Sequence, residues 1–485
     1  MPRASAGLPC LQIDPDQPCP ATPICVARAF CRAAIVEQRW IDREQAAWGA
    51  ELGTTIANCQ ASESPRETLR ALFDAGVAAV SAERCVPAAL TGFSAAGRTL
   101  IIAVGKAAAA MASVAAVRVG GSVTGLVVTR HGHSGPPHDL PRGFEIIEAG
   151  HPVPDLESLS AAKRALELVA ELEPRDRLLA LISGGGSALL TLPVAGISLV
   201  DKQVMTLALL RSGATIGEIN SVRKHLSLIK GGRLAVAAAP AQVTTLVISD
   251  IPGDDPSFVA SGPTVADSTT LETARAIIAR YSIAVSPNVA EALASTANET
   301  PPADALGLAG STVKVIARAR DALDAAGAAA RERGYKVTDL GDHLQAEARH
   351  LGAGHAGLAR RLAADGQKRV ILSGGETTVR VVNPNGRGGR NLEYLLGLAI
   401  ELDGAPGIHA IACDTDGIDG TEDNAGALVA PDTLARGIAL GLDARAMLDA
   451  NDAYRYFASL GDLVVTGPTR TNVNDLRAIL IDGAA

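Results

Sequence analysis

Two strand-like apolar runs of this sequence end at consecutive glycines, far apart along the chain: LISGGGS at 181–187 and ILSGGETT at 371–378. Glycine turns the backbone with positive φ and lets it come close to a ligand. Where a helix begins directly after such a turn, its unpaired N–H groups and positive dipole end favour anions. Two tight turns would produce the same pattern. Because the pattern occurs twice, we interpret the two segments as ligand loops facing a shared cleft.

The rest of the chain from Ser64 alternates strand-like apolar runs with Ala-rich helical stretches. This alternation predicts an α/β fold with a mainly parallel sheet covered by helices. In such sheets ligands bind beyond the carboxyl ends of the strands, where the glycine motifs fall. The predicted strands lie at 99–104, 125–129, 178–182 and 243–249, and a second series lies at 312–317, 335–337, 369–372, 409–412 and 462–466.

The length of 485 residues exceeds one ordinary core, so we expect two α/β domains. Ser64, Pro65 and Glu67 have the pattern of a capped helix start, and the stretch after Ala284 is polar and proline-punctuated. We therefore predict one domain at 64–305 and a second at 306–485.

Residues 1–63 differ in composition, since they contain both tryptophans, five of the seven cysteines and a proline-rich start. We interpret them as a disordered, dispensable extension; a partner-binding appendage and translated sequence upstream of the true start are the alternatives. The segment lacks the features of a secretory signal. No cysteine spacing matches a zinc site or a CxxC redox pair.

Aromatic residues make up only 3% of the chain and the formal net charge is -8. Both values argue against nucleic acid as a partner. No apolar run reaches the roughly 18 residues of a membrane-spanning helix, so we expect a cytoplasmic protein without membrane contact. The oligomeric state cannot be read from the sequence, and a homodimer stays open.

Basic residues follow several of the predicted strands. Lys106 comes directly after the run at 99–104, where it can reach an anion, although the segment is not a Walker A loop. Helical geometry places Arg223 and Lys230 on one stripe, which taken alone is typical of a solvated helix face. Arg387 and Arg390 lie in the glycine-rich segment 386–393, where backbone and guanidinium groups can hold anionic oxygens together.

Two acidic loops complete the set, with Asp250 in the segment 249–255 and Asp414 in the segment 413–420. Magnesium usually takes few carboxylates and shares phosphate oxygens, so these loops suit it better than calcium. Asx-turns explain some of these aspartates in any protein. No GxSxG elbow is present, and no GxGxxG follows a strand, which weakens a nicotinamide enzyme.

Taken together, the motifs at 104–106, 150–155, 182–190, 219–233, 249–264, 373–378, 386–393 and 414–426 closely resemble those of the MOFRL-type glycerate 2-kinases. The resemblance runs from about Ser64 to the C-terminus. It implies a larger Rossmann-like N-terminal α/β domain and a MOFRL-type C-terminal α/β domain, with the active site in the cleft between them. It also implies ATP-dependent phosphorylation of D-glycerate at the 2-hydroxyl, with Mg²⁺, to give 2-phospho-D-glycerate and ADP.

The resemblance further implies site residues. Lys106 and Arg390 match the proposed catalytic pair of the family. Asp250 or Asp414 would hold magnesium or orient the 2-hydroxyl. The predicted substrate- and phosphate-binding residues are Ser183, Gly184, Gly185, Gly186, Ser187, Arg223, Lys230, Ser373, Gly374, Gly375, Glu376, Gly388, Gly389 and Asn391.

Two alternatives stay open. Relatives sometimes carry the name hydroxypyruvate reductase, which would need a nicotinamide, and a non-catalytic anion-binding module would keep the cleft without turnover. Retention of Lys106, Arg390 and both acidic loops argues against the latter. Substituting Lys106 by Met is expected to abolish turnover while leaving the thermal melt nearly unchanged.

Overall fold

The computed structural model describes residues 63–135 and 140–483. The interpretation of residues 1–63 as a disordered extension falls, apart from Glu63, outside the described residues. Residues 64–485 form one unit. Within the described part of this unit, two six-stranded sheets are covered by helices, so the α/β fold class is confirmed.

The first sheet is entirely parallel, with the strand order β3-β2-β1-β4-β5-β6. This order is that of the doubly wound dinucleotide-binding fold. Val104 and Ile182, near the carboxyl ends of β1 and β4, are register partners, so the segments that follow them emerge side by side. The strands are β1 Thr99–Val104, β2 Val123–Arg130, β3 Phe144–Ala149, β4 Arg177–Ile182, β5 Gln242–Ile248 and β6 Thr312–Ala317.

The second sheet is mixed, with the order β11-β10-β9-β12-β8-β7. Only β7 and β8 are parallel to each other, whereas β12 runs antiparallel to both of its neighbours, β8 and β9. The strands are β7 Lys336–Asp339, β8 Arg369–Gly375, β9 Ile408–Asp414, β10 Gly426–Val429, β11 Leu463–Val464 and β12 Asp475–Ile481.

The strand at Thr312–Ala317 differs from expectation. The sequence pattern suggested that it opens the second series, but β6 pairs in parallel with β5 as the edge strand of the first sheet. The first sheet therefore extends past residue 305. The long segment between β5 and β6 interrupts the regular βα alternation, which is why it resembles a domain linker.

Helices cover both sheets. They are α1 Pro65–Ala79, α2 Ala82–Ala89, α3 Ala108–Val119, α4 Leu156–Ala170, α5 Gly186–Leu189, α6 Leu199–Arg211, α7 Ile216–His225, α8 Arg233–Ala237, α9 Leu271–Arg280, α10 Pro287–Ala294, α11 Ala319–Glu332, α12 Ala348–Ala363, α13 Arg390–Leu402, α14 Thr433–Ala439, α15 Ala444–Asp449 and α16 Ala453–Leu460. Among the described residues, none of the helices combines the length and the apolar character that a membrane span requires.

The first helix packs on the second sheet, although it precedes the first sheet in the chain. Ser64 caps α1 in a capping box with Glu67, as the sequence predicts. The buried Leu72 and Phe73 share one core with residues of β8, β9 and β12. Gly76 permits the close approach, since a Cβ there would lie 2.5 Å from Leu476 Cδ1. The first helix of the described chain thus completes the core beside its last strand.

Candidate active site

Two neighbouring cavities lie where the carboxyl edge of the first sheet meets the second sheet. The front cavity has a volume of about 510 Å³ and is lined by residues of both sheets' loops, among them Lys106, Arg390 and Asp414. The second, which we call the basic cavity, has a volume of about 420 Å³. The two share the lining residues His151, Pro152, Gly185, Asp250 and Glu376.

Lys106 is positioned by the end of β1. The preceding Gly105 has a φ of +123° and packs so tightly against the β4 loop that a Cβ would lie 2.5 Å from Ser183 O. The backbone N–H of Lys106 donates to Gly184 O at 2.9 Å. Its ammonium group forms an ion pair with Asp416. Burial alone would lower the pKa of Lys106, but the carboxylates of Asp416 and Asp414 outweigh it and raise the pKa, so Lys106 is protonated.

Arg390 is the first residue of α13 and, like Lys106, lines the front cavity. Its guanidinium group contacts Asp414 Oδ2 at 2.8 Å, Asp475 Oδ1 at 3.3 Å and the carboxylate of Glu376. Burial opposes the charge of Arg390, yet Asp475 and Asp414 raise its pKa well above the usual value. These contacts hold the guanidinium in one orientation, with its charge facing the cavity.

The two acidic neighbours of this pair behave differently. Burial, together with the nearby Asp416, raises the pKa of Asp414 well above its ordinary value. Burial would also raise the pKa of Asp416, but the ion pair with Lys106 outweighs it and holds the pKa below the ordinary value. Asp416 is therefore ionised and is the carboxylate that keeps Lys106 charged.

Asp250 lies between the two cavities. Asn472 Nδ2 donates to its Oδ2 at 3.0 Å, and Asn474 Nδ2 donates to its backbone oxygen at 2.5 Å. Burial raises the pKa of Asp250 to about 6, although Lys106 favours the ionised form. At neutral pH the Asp250 carboxylate is therefore mostly ionised, and it can act as a base or as a metal ligand.

The carboxylates suit magnesium to different degrees. Within residues 63–135 and 140–483 no group of three or more His, Cys, Asp or Glu side chains is arranged to hold a metal ion. Magnesium, however, usually takes one or two carboxylates and completes its shell with water and substrate phosphates. Asp250 fits this role because it faces both cavities. Asp414 fits it less well, because Arg390 and the backbone N–H of Asp416 already occupy its oxygens.

Replacing Asp250 by Asn tests its pKa. An unfolded aspartate has a pKa of about 3.9, so the folded protein binds more protons between about pH 4 and pH 6, and Asp250 lowers stability as pH rises through that window. We therefore compare the free energy of unfolding of Asp250→Asn with that of the parent at two pH values. The variant's value minus the parent's should be more positive at pH 8 than at pH 5, by on the order of 1 kcal/mol. Urea denaturation of metal-free protein at both pH values measures it, and an equal difference at the two would contradict the raised pKa.

Gly184 packs directly against Asp250. A Cβ at Gly184 would lie 1.8 Å from Asp250 Oδ2 and 2.3 Å from Asn472 Nδ2. Gly184→Ala should therefore displace Asp250, lower the free energy of unfolding by about 1–3 kcal/mol and abolish activity. Gly354→Ala is the matched control, because Gly354 lies within α12 with open space around it and the substitution should stabilise by about 0.5–1 kcal/mol. Thermal melts that shift equally in both variants would contradict the close packing at Gly184.

The start of α13 is fixed by a buried carboxylate. Asp419 accepts hydrogen bonds from the backbone N–H groups of Asn391 and Leu392, each at 3.0 Å. Asn391 Nδ2 also donates to Asp475 Oδ1 at 2.8 Å. Because Gly389 passes so close to Asp419 that a Cβ would lie 2.3 Å from its Cγ, only glycine fits there. This network positions Arg390.

Of the residues predicted for the site, the following line one or both cavities: Lys106, Gly185, Ser187, Arg223, Lys230, Asp250, Glu376, Gly388, Gly389, Arg390 and Asp414. The others support the walls. Ser183 Oγ accepts from Ala107 N at 3.0 Å, Gly184 and Gly186 pack against Asp250 and Ala260, and Asn391 is buried beneath Arg390.

The second glycine run corrects one expectation. Ser373, Gly374 and Gly375 are not a ligand loop, because they form the end of β8 and pair with β12. Arg477 donates to the carbonyl oxygens of Gly374 and Gly375 at 3.2 and 3.1 Å. Only Glu376, the next residue, reaches the cavities.

Several site residues lay outside the sequence prediction. Asp416 follows Asp414 in the same acidic loop, so the Asp-Thr-Asp spacing was a usable signal. His151 lies in the quoted motif 150–155, where burial and Lys106 lower its pKa to about 4 and keep it neutral. Lys202, Asn472 and Asn474 had no signal that distinguished them from structural residues.

The sequence matches two known protein-family models. Residues 68–294 match a domain of unknown function (DUF4147), and residues 369–475 match the MOFRL family. The chain is 52% identical over 425 residues to a putative hydroxypyruvate reductase of Agrobacterium vitis, covering 86% of this chain and 95% of that protein. It is 42% identical over 384 residues to the D-glycerate 2-kinase of Thermotoga maritima, covering 78% and 89%.

Solved structures agree. A crystal structure of glycerate kinase from Thermotoga maritima is similar with a TM-score of 0.76 and 39% identity, covering 86% of this chain and 99% of that one. The PH0495 protein from Pyrococcus horikoshii is similar with a TM-score of 0.69 and 34% identity, with the same coverage. The chain belongs to the MOFRL-type glycerate kinase family.

Proposed function

We propose that this protein is an ATP-dependent D-glycerate 2-kinase, which transfers the γ-phosphoryl group of ATP to the 2-hydroxyl and releases 2-phospho-D-glycerate and ADP. The observation that carries the proposal is the pair Lys106 and Arg390, which line one cavity and are each held by a buried carboxylate. Relatives named glycerate kinase support it.

The residues fit the needs of phosphoryl transfer, which depends on positioning and charge neutralisation more than on covalent chemistry by the protein. Lys106 and Arg390 would neutralise phosphoryl and glycerate oxygens. Asp416 keeps the Lys106 ammonium charged, and Asp414 with Asp475 orients the Arg390 guanidinium. Fixed charges of this kind require no reorganisation during the reaction.

Asp250 would serve the acceptor or the metal. With a pKa of about 6, its carboxylate is ionised at neutral pH and basic enough to accept the proton of the 2-hydroxyl. Magnesium, when bound there, would supply further neutralisation of the phosphate oxygens.

Two relatives carry the name hydroxypyruvate reductase, so the turn after β1 is compared with that of dinucleotide-binding enzymes. The sheet order is shared with dinucleotide-binding enzymes, in which the pyrophosphate lies over a glycine-rich turn after the first strand. Here Gly105 is packed against Ser183 and the N–H of Lys106 is bonded to Gly184 O. This turn does not have the open backbone that such a pyrophosphate needs, which supports the kinase.

The experiment is incubation of the purified protein with Mg-ATP and D-glycerate, with ADP release measured and enolase added without phosphoglycerate mutase. ADP together with an enolase signal supports the 2-kinase. ADP without that signal means that another hydroxyl is phosphorylated. No ADP, combined with NADH oxidation by hydroxypyruvate, would overturn the kinase in favour of the reductase.

A further inference from the structure

The basic cavity contains three cationic side chains without a carboxylate partner. Lys202 of α6 and Lys230, which follows α7, are only 4% and 2% exposed. Lys202 Nζ donates to Arg223 O at 3.0 Å, and Lys230 Nζ donates to Ser187 O at 2.9 Å and Leu190 O at 2.6 Å. Among residues 63–135 and 140–483, no carboxylate forms an ion pair with Lys202, Arg223 or Lys230, and the Arg223 guanidinium has no hydrogen-bond partner.

Three neighbouring cations at one buried site are costly unless an anion compensates them. The pKa shifts are consistent with this cost, since burial and the nearby Arg223 lower the pKa of Lys230 to about 7. Burial, followed by the charge of Lys230, likewise lowers the pKa of Lys202 well below its usual value. A ligand with several negative charges would remove this penalty.

Two substrates of the proposed reaction are anionic, and their charges differ. Glycerate carries a single carboxylate, which would compensate one of the three cations. The polyphosphate chain of a nucleotide carries several negative charges and matches the set. The lining of the basic cavity also suits a nucleotide. The large apolar residues Leu210 and Ile216 line it and are 54% and 44% exposed, so they offer an apolar surface on which an aromatic base can pack.

The residues that line both cavities indicate which way a bound polyphosphate chain would run. Gly185 and Asp250 line both cavities, and Gly185 lies against Lys106, with a Cβ 3.6 Å from Lys106 Cγ. A polyphosphate held in the basic cavity would therefore present its terminal phosphoryl group at this wall. The acceptor would then meet it from the front cavity, between Lys106 and Arg390.

We propose that Lys202, Arg223 and Lys230 bind the polyphosphate chain of the nucleotide donor in the basic cavity, and that D-glycerate occupies the front cavity. This assignment rests on the proposed function for the identity of the two substrates. It gives Lys202 a role in donor binding and places the donor on the first sheet's side of the cleft.

The test uses Lys202→Met and Arg223→Gln, with inorganic tripolyphosphate as the probe in calorimetric titrations without magnesium or glycerate. Each variant should bind tripolyphosphate about tenfold or more weakly, as expected for loss of a charge-assisted contact. The KM for ATP should rise in parallel, whereas the KM for D-glycerate should stay nearly unchanged. Arg211→Met is the matched control, because Arg211 is an exposed cation at the end of the same helix α6 and should leave all three values unchanged.

The opposite split overturns the assignment: if the KM for D-glycerate rises and tripolyphosphate binding is unaffected, the basic cavity belongs to the acceptor. Equal weakening in Arg211→Met would also overturn it, because the attraction would then be a general effect of positive charge. Failure of the proposed function is distinguishable from both. In that case the parent does not phosphorylate D-glycerate, while direct tripolyphosphate titrations still show whether the three cations form an anion site.

Discussion

Lys106→Met should lower kcat on the order of 10³-fold or more, because a fixed positive charge at the transferring phosphoryl group is lost. The structure also changes the expectation for stability. Lys106 is paired with Asp416, whose side chain is only 1% exposed, so the substitution leaves a buried carboxylate without its cation. Breaking a buried ion pair on one side costs about 3–5 kcal/mol. A thermal melt should therefore shift downwards, contrary to the nearly unchanged melt expected from the sequence.

The double variant Lys106→Met with Asp416→Asn separates the two effects. It removes both charges, so the thermal melt should recover most of the loss while turnover stays absent. Recovery of turnover together with stability would mean that Lys106 acts only by folding the site. In that case its proposed role in catalysis is wrong.

Arg390→Gln should lower kcat by on the order of 10³-fold as well, since an arginine that stabilises transferring phosphoryl charge is worth at least this much. The guanidinium lies against Asp414, Asp475 and Glu376, and glutamine cannot satisfy three carboxylates. We therefore also expect weaker binding of D-glycerate, because the front cavity becomes more negative. Steady-state kinetics with each substrate varied in turn measure both effects.

Arg387→Gln is the matched control for this prediction, in the same glycine-rich loop. Arg387 pairs with Glu422 and lies over the ring of Tyr454 at 4.4 Å, with its side chain 44% exposed. An exposed pair of this kind contributes about 0–1 kcal/mol. Turnover in Arg387→Gln should thus stay within a few-fold of the parent, and comparable losses in the two variants would contradict the distinct role of Arg390.

Much of the first sheet was accessible from the sequence, because each central strand is a continuous buried apolar run. The predicted strand at 99–104 coincides with β1, and the Lys106 segment follows it as expected. An apolar pattern, however, does not show which strands lie next to each other in a sheet. That is why β6 was assigned to the wrong series, and why the segment Ser373–Gly375, similar in sequence to 183–185, was taken for a loop although β12 covers it.

The positions of the candidate site's residues were predictable where they follow the carboxyl ends of parallel strands, as at Lys106 and Gly185, which line the cavities. The sequence did not predict Asn472 and Asn474, because they precede β12 and reach the cleft from the amino end of a strand. β12 is antiparallel to its neighbours, so its beginning lies at the edge where the others end. The rule that places ligands at carboxyl ends does not apply to such a strand, and only the sheet order reveals it.

The packing of α1 on the second sheet has a consequence for synthesis on the ribosome. The apolar face of α1 covers a core that includes β12, and β12 follows α1 by about 400 residues. At roughly 5–20 residues per second, this helix is made on the order of 20–80 s before its binding surface is complete. Until then the part of that apolar face that contacts β12 stays uncovered, which makes α1 a target for chaperones that bind early-emerging segments.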